Sequence, residues 1–173
     1  MITHMNEFNL RAMSLADADT VVTLYRAVAA GPDSGLARRV DEISREYVAG
    51  FLARALIGGV ALGAFAGEQL VGEIHATRIG PRQFCHVLTE LTIAVHPDVQ
   101  GRGIGSRLFD ALFDSAAKLV PGATRIELVA RSGNTAAQRL YEKLGFRAEG
   151  RFLGRVRLPD GQIEDDIPMA RLL

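Results

Sequence analysis

The stretch HPDVQGRGIGSRLFDAL, residues 96–112, places Gly101, Gly103 and Gly105 at alternate positions and then runs straight into an amphipathic pattern. A strand ending at Val95, a glycine loop and a helix starting near Gly103 aim several backbone N–H groups at one point. The unpaired amides of a first helical turn, its positive dipole end and the missing side chains together favour an anion such as phosphate. Two other glycine-loop sites fit poorly. The dinucleotide spacing G-x-G-x-x-G needs glycine where Ser106 stands, and no Lys-Ser or Lys-Thr pair completes a Walker loop. A plain tight turn is the bland alternative. Further along, Asn134 and Tyr141 lie seven residues apart in NTAAQRLYEKLGF, two helical turns, so both face one side. The Tyr141 phenol is a proton donor at neutral pH, or simply an aromatic that packs. His75 and His86 offer imidazoles that titrate near neutrality, although a lone strand histidine is more often structural. Cys85 is the one cysteine, with no activating partner in the sequence, which excludes an internal disulfide and any Cys-based zinc cluster and fits a reducing compartment.

These groups need elements to hold them. Phe8 to Arg11 reads as a short strand, and Ser14 with Asp17 three residues later resembles a capping box opening a helix that carries Leu15, Val22, Leu24 and Val28. AAGPDSG breaks that helix. A second, roughly Val40 to Leu56, places Ile43, Tyr47, Phe51 and Ala55 on one apolar face. Strands follow at Val60 to Ala66 and Gln69 to Ile79, joined at GE, then at His86 to Val95. The helix after the glycine loop runs to about Leu119, where Pro121 and Gly122 stop the pattern. Thr124 to Ala130 is β-rich. Ser132 and Asn134 are cap candidates for a helix that stops at Gly145, and the tail reads as two strands around Pro159 to Gly161. The order gives an α/β or α+β chain with a mixed sheet.

Composition sets bounds. With 173 residues and 48% hydrophobic content, residues 1–173 read as one domain with enough core to close without metal or disulfide. Twenty basic and twenty acidic residues leave a formal net charge of zero, which gives no general attraction to nucleic acid or to an anionic membrane. No apolar run is long enough to span a bilayer, and MITHMNEFNLRAMS lacks a basic segment followed by an apolar one, so the expected location is cytoplasmic.

The loop fits the pattern Q/R-x-x-G-x-G/A as Gln100, Gly103 and Gly105, after ELTIAVHPD and before a helix. Here the chain resembles the GNAT superfamily of acetyl-coenzyme A dependent N-acetyltransferases, and Asn134 to Phe146 resembles that family's second signature helix. The resemblance covers essentially the full order of elements and is nearest the phosphinothricin acetyltransferase branch. It implies a mixed, mostly antiparallel seven-stranded sheet flanked by about four helices and splayed centrally at the cofactor site.

It also implies acetyl-coenzyme A as co-substrate and no metal. The backbone of Ile93, Ala94 and Val95 would hold the pantetheine arm and thioester as an added strand would be held. The segment Gln100, Gly101, Arg102, Gly103, Ile104, Gly105 and Ser106 would hold the pyrophosphate, with Asn134 and Tyr141 reaching in from the second helix. Arg102 either touches phosphate or is merely solvated.

Acetylation needs a neutral amine, and an alkylammonium of pKa about 10.4 is protonated at pH 7 in all but roughly one molecule in a few thousand. In the family the strand before the loop, here Glu90 to Val95, bulges; the resemblance makes Glu90 the base, since it sits just before that expected bulge and matches a glutamate proposed as base in that branch. On strict alternation Glu90 shares a face with His86, Leu88 and Thr92. A structural or substrate-binding carboxylate is the alternative. Tyr141 would protonate the departing thiolate, and an N–H near Val95 would stabilise the oxyanion. The acceptor walls would be residues from about Ala30 to Tyr47, with Arg38, Arg39, Asp41, Glu42 and Tyr47 available, and the last hairpin. The expected acceptor is a small-molecule amine or amino acid; a protein amino terminus or lysine, and a non-catalytic acyl-coenzyme A sensor, are the rivals. A homodimer is expected by family resemblance.

Overall fold

In the computed structural model, which describes residues 8–32 and 34–173, the alternating apolar stretches join into one sheet and the helical stretches cover it from two sides. The strands are β1 (Asn9–Ala12), β2 (Gly59–Ala66), β3 (Gln69–Arg78), β4 (Val87–Val95), β5 (Arg125–Arg131), β6 (Arg147–Ala148), β7 (Phe152–Arg157) and β8 (Ile163–Leu172). The helices are α1 (Ala18–Ala29), α2 (Arg45–Gly58), α3 (Ile104–Leu119) and α4 (Thr135–Lys143). Strand order is β1-β2-β3-β4-β5-β8-β6, with β7 also on β8. Every pairing is antiparallel except β4 with β5. The sheet therefore has eight strands where seven were expected. The additional strand, β6, is only Arg147–Ala148, too short to leave an alternation, and it shares one edge of β8 with β7.

One core lies between the sheet and α3, where Ile104, Leu108, Phe109, Leu112 and Ala116 recur at helical spacing and are buried against β2 to β5 and β8. Phe109 is its aromatic centre, with ring centroids 5.8 Å from Tyr141 and 6.0 Å from Phe146. Burial of each such side chain contributes about 1.5 to 3 kcal/mol. The other core joins α1 and α2 to the opposite face through Val21, Leu24, Tyr25, Phe51 and Leu52, which meet Ala61, Leu70 and Ala94 of β2, β3 and β4. That cover does not reach β5. Leu128 and Ala130 face the α3 core, whereas Val129 between them, on a central strand, stays 49% exposed. The α1–α2 side of the sheet is thus open where β5 begins its own course.

The second helix begins later than its periodicity suggests. Val40–Glu42 is a single 3-10 turn, and Ser44, whose hydroxyl accepts from Tyr47 N at 3.1 Å, caps an α-helix starting at Arg45. Ile43 is nevertheless fully buried, so the apolar face is right while the helical stretch is shorter. His86 likewise lies outside β4, its carbonyl accepting from Thr124 N at 2.9 Å and Arg125 N at 3.2 Å. Met1–Glu7 and Asp33 lie outside the described residues, and with them the expectation drawn from the leading segment. No helix among the described residues is long and apolar enough to cross a membrane.

The Ser14–Asp17 box forms, opening a 3-10 turn that leads into α1. Arg11 donates from Nη2 to Asp17 Oδ1 at 2.7 Å and Ser14 N donates to Oδ2 at 2.8 Å, which holds the Asp17 carboxyl down at about 2. A carboxyl depressed on folding stabilises the native state above its unfolded value near ~3.9, and that stability is lost as pH falls through the folded value. Asp17→Asn is therefore expected to cost roughly 1 to 2 kcal/mol at neutral pH, after discounting for solvent around Arg11. The deficit should shrink between about pH 4 and pH 2. Urea titrations of both proteins across that range check this; a pH-independent difference would mean that the cap acts by shape alone.

Candidate active site

The parallel strands β4 and β5 pair only at Val87 with Arg125 and Leu88 with Ile126, then separate. Past Leu88, the β5-facing backbone of β4 has no strand beside it. β3 still pairs the other edge, but with a register shift: His75 opposes Thr92 and Thr77 opposes Thr89, which leaves Glu90 and Leu91 facing the single residue Ala76. Glu90 takes the strain as a non-glycine residue at φ 53°. The bulge and the central splay match what the family resemblance implied.

The bulge also corrects the face assigned to Glu90. Leu88 and Leu91 belong to the α3 core, whereas Glu90 Oε2 accepts from Thr77 Oγ1 at 3.4 Å and from Arg54 Nη2 of α2 at 3.2 Å. Glu90 therefore shares the α1–α2 face with Thr92 and is turned away from Leu88. Strict alternation fails there because the extra residue resets the pleat. The Glu90 side chain is 55% exposed, so it is open to water and to a ligand on that face.

At the end of β4 the chain turns through His96–Gln100 into the glycine loop. Gln100 Nε2 folds back to donate to Val95 O at 3.0 Å, which closes off that carbonyl. Gly101 and Gly103 adopt φ of 76° and 78°, and a Cβ on either would meet nothing within 4 Å, so the loop is left-handed at two points and open. None of the amides from Gly101 to Ser106 has a hydrogen-bond partner among the described residues; the first that does is Arg107 N, donating to Gly103 O at 3.1 Å. A run of free N–H groups at the start of a sixteen-residue helix is a cradle for phosphate oxygens. Arg102 is exposed beside it, and Ile104 is buried in the core and contributes only its main chain. A Cβ on Gly105 would sit 3.8 Å from Ile93 and 3.9 Å from Leu140, so the loop, β4 and α4 converge.

Asn134 caps α4, its Oδ1 accepting from Ala137 N at 3.1 Å, while its Nδ2 lies 3.3 Å from where a Gly35 Cβ would stand. Ser132 is not the cap; its hydroxyl accepts from Asp165 N at 3.2 Å. Tyr141 is partly buried against the α3 core, and burial pushes its phenol above the usual value, keeping it protonated. Tyr141 and Glu90 thus lie on opposite faces of the sheet, flanking the stretch where β4 leaves β5.

The expected acceptor walls also meet. Arg131, at the end of β5, donates from Nη2 to Ser34 O at 2.5 Å and pins the α1–α2 loop there. A cleft of about 360 Å³ opens between Pro32, the turn carrying Arg131, Gly133 and Asn134, and the hairpin residues Leu158 and Glu164. Arg38 lies over the Tyr47 ring at 4.1 Å, and Glu42 accepts from Arg39 N at 2.9 Å. His75 is buried: its Nδ1 lies 3.2 Å from both Glu73 oxygens, Tyr25 donates to Glu73 Oε2 at 2.5 Å, and Phe51 stacks on the imidazole at 3.9 Å. His86 and Cys85 are exposed outside the site. Sequence reasoning missed Arg54, Thr77 and Arg131; only the position of the bulge and the splay brings them to the site, and neither is encoded in local spacing. Among the described residues, no cluster of His, Cys, Asp and Glu is arranged to hold a metal ion.

Comparison with known proteins agrees with this geometry. The Mycobacterium tuberculosis N-alpha-acetyltransferase RimI is 39% identical over 89 residues, 51% of this chain and 52% of that protein. The Escherichia coli ribosomal protein bS18-alanine N-acetyltransferase is 44% identical over 63 residues, 35% of this chain and 41% of its own. The chain spans about half or less of the length of these curated relatives. Among solved structures, a GNAT family acetyltransferase from Streptococcus pneumoniae superposes with TM-score 0.86 at 23% identity, covering 96% of this chain and 100% of that one. A Sinorhizobium meliloti phosphinothricin acetyltransferase in complex with AcCoA gives TM-score 0.81 at 22% identity, covering 96% and 88%. At such identities the likeness is one of fold. The pattern of the acetyltransferase (GNAT) family matches residues 32–146, which contain the parted strands, the free amides and all of α4, and the chain belongs to that family.

Proposed function

We propose that the protein is an N-acetyltransferase that moves an acetyl group from acetyl-coenzyme A to a primary amine of a small molecule or amino acid by direct attack. The observation that carries this reading is the placing of Glu90 and Tyr141 on opposite faces of the sheet where β4 leaves β5. The free backbone groups of Ile93 and the N–H of Val95, which point away from β3, suit a pantetheine arm, and the amides from Gly101 to Ser106 suit its pyrophosphate, whereas Ala94 is paired with Glu73 of β3. Glu90 takes one proton from the ammonium, a step worth about 4 to 5 kcal/mol at neutral pH. The neutral nitrogen forms its bond to the thioester carbonyl carbon, the C–S bond breaks, and Tyr141 protonates the departing sulfur. The second nitrogen proton passes to solvent and so restores the phenol. Net, an ammonium and a thioester become an amide, a thiol and one proton.

Acetyl-coenzyme A alone provides the first test. A ligand at a hundred times its dissociation constant stabilises the native state by about 2.7 kcal/mol. For a chain of this size the melt should rise by roughly 5 to 10 °C. Gly105 is better for mutation than Gly101 or Gly103, because only the last two have positive φ. Gly105→Val should remove the shift while moving the unliganded melt little. An unmoved wild-type melt would count heavily against the reading.

A protein amino terminus is the second reading. The half-exposed Val129 on the open face favours it, as do the relatives named as acetylating alanine of a ribosomal protein or acting as N-alpha-acetyltransferases. Thiol release measured with small amines, amino acids and a short peptide with a free amino terminus separates the two.

A further inference from the structure

Arg54 is the one cation within hydrogen-bond reach of Glu90 among the described residues. It lies in α2, one turn after Gly50, and a Cβ at Gly50 would be 3.7 Å from Arg54 Nη1. That is an ordinary van der Waals contact, so the Gly50 position lies directly beside the guanidinium. Glycine inside a helix costs up to about 1 kcal/mol against alanine, so this gap is not explained by helix stability. Only Nη2 of Arg54 has a partner among the described residues; Nε and Nη1 have none, and the side chain is 56% exposed. The contact is therefore single-pronged, and most of a planar fork built for two parallel bonds to a carboxylate faces solvent.

We propose that Arg54 anchors the carboxylate of the acceptor, and hence that the acceptor is a free α-amino acid. The proposal rests on the transferase reading above and narrows its substrate. A guanidinium bound to Glu90 through one nitrogen and to an incoming carboxylate through its remaining edge holds the two anions side by side. In an α-amino acid the amine is separated from the carboxylate carbon by a single carbon. A carboxylate docked on Arg54 therefore carries its own ammonium next to Glu90, where the proton must go. The charges also sort acceptors: a simple amine or a polyamine brings only positive charge towards Arg54, and a peptide amino terminus carries a neutral amide where the amino acid carries its carboxylate. A positively charged anchor favours the zwitterion over both.

The experiment measures kcat/KM by thiol release for L-amino acids, the same amino acids as carboxamides, simple primary amines and a polyamine, and an alanine-initiated peptide, with wild type, Arg54→Met and Arg54→Lys. Wild type should prefer the free acid over its carboxamide by roughly tenfold or more. Arg54→Met should bring that ratio close to one, and Arg54→Lys should fall between, since an ammonium keeps the charge without the fork. Arg54 also holds Glu90, so both arms fall in the variants and the ratio isolates the anchor. Because the Arg54 side chain is half in solvent, the variants should fold, with acetyl-coenzyme A affinity and melting near wild type. A wild-type ratio of one or below, or a ratio unchanged in Arg54→Met, overturns the anchor. Turnover confined to amines or to the peptide overturns it and leaves the transferase reading standing, whereas no turnover with any arm overturns both.

Discussion

Glu90→Gln should lower turnover by a hundredfold or more while leaving acetyl-coenzyme A affinity nearly intact. The side chain reaches the α1–α2 face, where its partners are Arg54 and Thr77 and none belongs to the glycine loop, so its loss removes no group that suits the coenzyme. Glutamine keeps the length and an oxygen able to accept from Arg54 and Thr77, and the exposed ion pair it replaces is worth little to stability. What disappears is the ability to take a proton. With an ammonium acceptor, the reaction then depends on the small neutral fraction in solution, roughly one molecule in a few thousand at pH 7. The variant should accordingly recover as pH rises towards the amine's own pKa, a gain that a merely structural defect would not produce. Steady-state kinetics from neutral to alkaline pH, with melting temperatures alongside, check both points. Wild-type turnover in this variant would pass the role to water, since His75 is buried and His86 lies outside β4.

The elements that hold this site were legible where side chains repeat. The α3 stripe, the Asn134 cap and the break at Gly145 follow from local chemistry, and each stands where the sequence pattern put it. The turns of the glycine loop were also legible, because glycine at 101 and 103 reflects two backbone positions with positive φ. Glu90 was harder. Its type and its place on the strand could be read, but its face could not, because a bulge inserts one residue without any composition signal and inverts the alternation behind it. The strand β6 left no trace for a related reason: two residues carry no period.

The partners of Glu90 were illegible for a different reason. Arg54 precedes it by 36 positions on a helix whose charges, by sequence alone, are indistinguishable from a solvated face. Only the packing of Phe51 and Leu52 against β3 and β4 sets the roll of α2, and that roll brings Arg54 over the bulge. The same packing makes His75 a buried, structural histidine. On β3 it points beneath α2, where Phe51 and the Tyr25–Glu73 pair enclose it. The residues proposed for the acceptor are therefore brought together by tertiary contacts between a helix and a strained strand, while those proposed for the coenzyme lie in a contiguous motif.

Tyr141→Phe should lower turnover by tenfold to a hundredfold with little loss of stability or coenzyme affinity. The ring sits edge-on to Phe109 and Phe146, at centroid distances of 5.8 and 6.0 Å, and phenylalanine keeps both contacts. Its hydroxyl has no hydrogen-bond partner among the described residues, so deleting it leaves no buried group unpaired. Only proton donation is removed. Burial raises the phenol's pKa, so it holds its proton through the neutral range and gives it up only to the strong base that develops as the sulfur departs. The thiolate that leaves has a conjugate acid of pKa about 8.5 and departs tolerably without help, which is why the loss is partial rather than complete. The size of the effect should also depend on the acceptor: a weakly basic amine, expelled more readily from the tetrahedral adduct, needs assisted sulfur departure more than a strongly basic one. Kinetics with two amines of different basicity measure this directly. An unchanged kcat for both would reduce Tyr141 to a packing residue, and the donor would then be water entering along the open edge of β4.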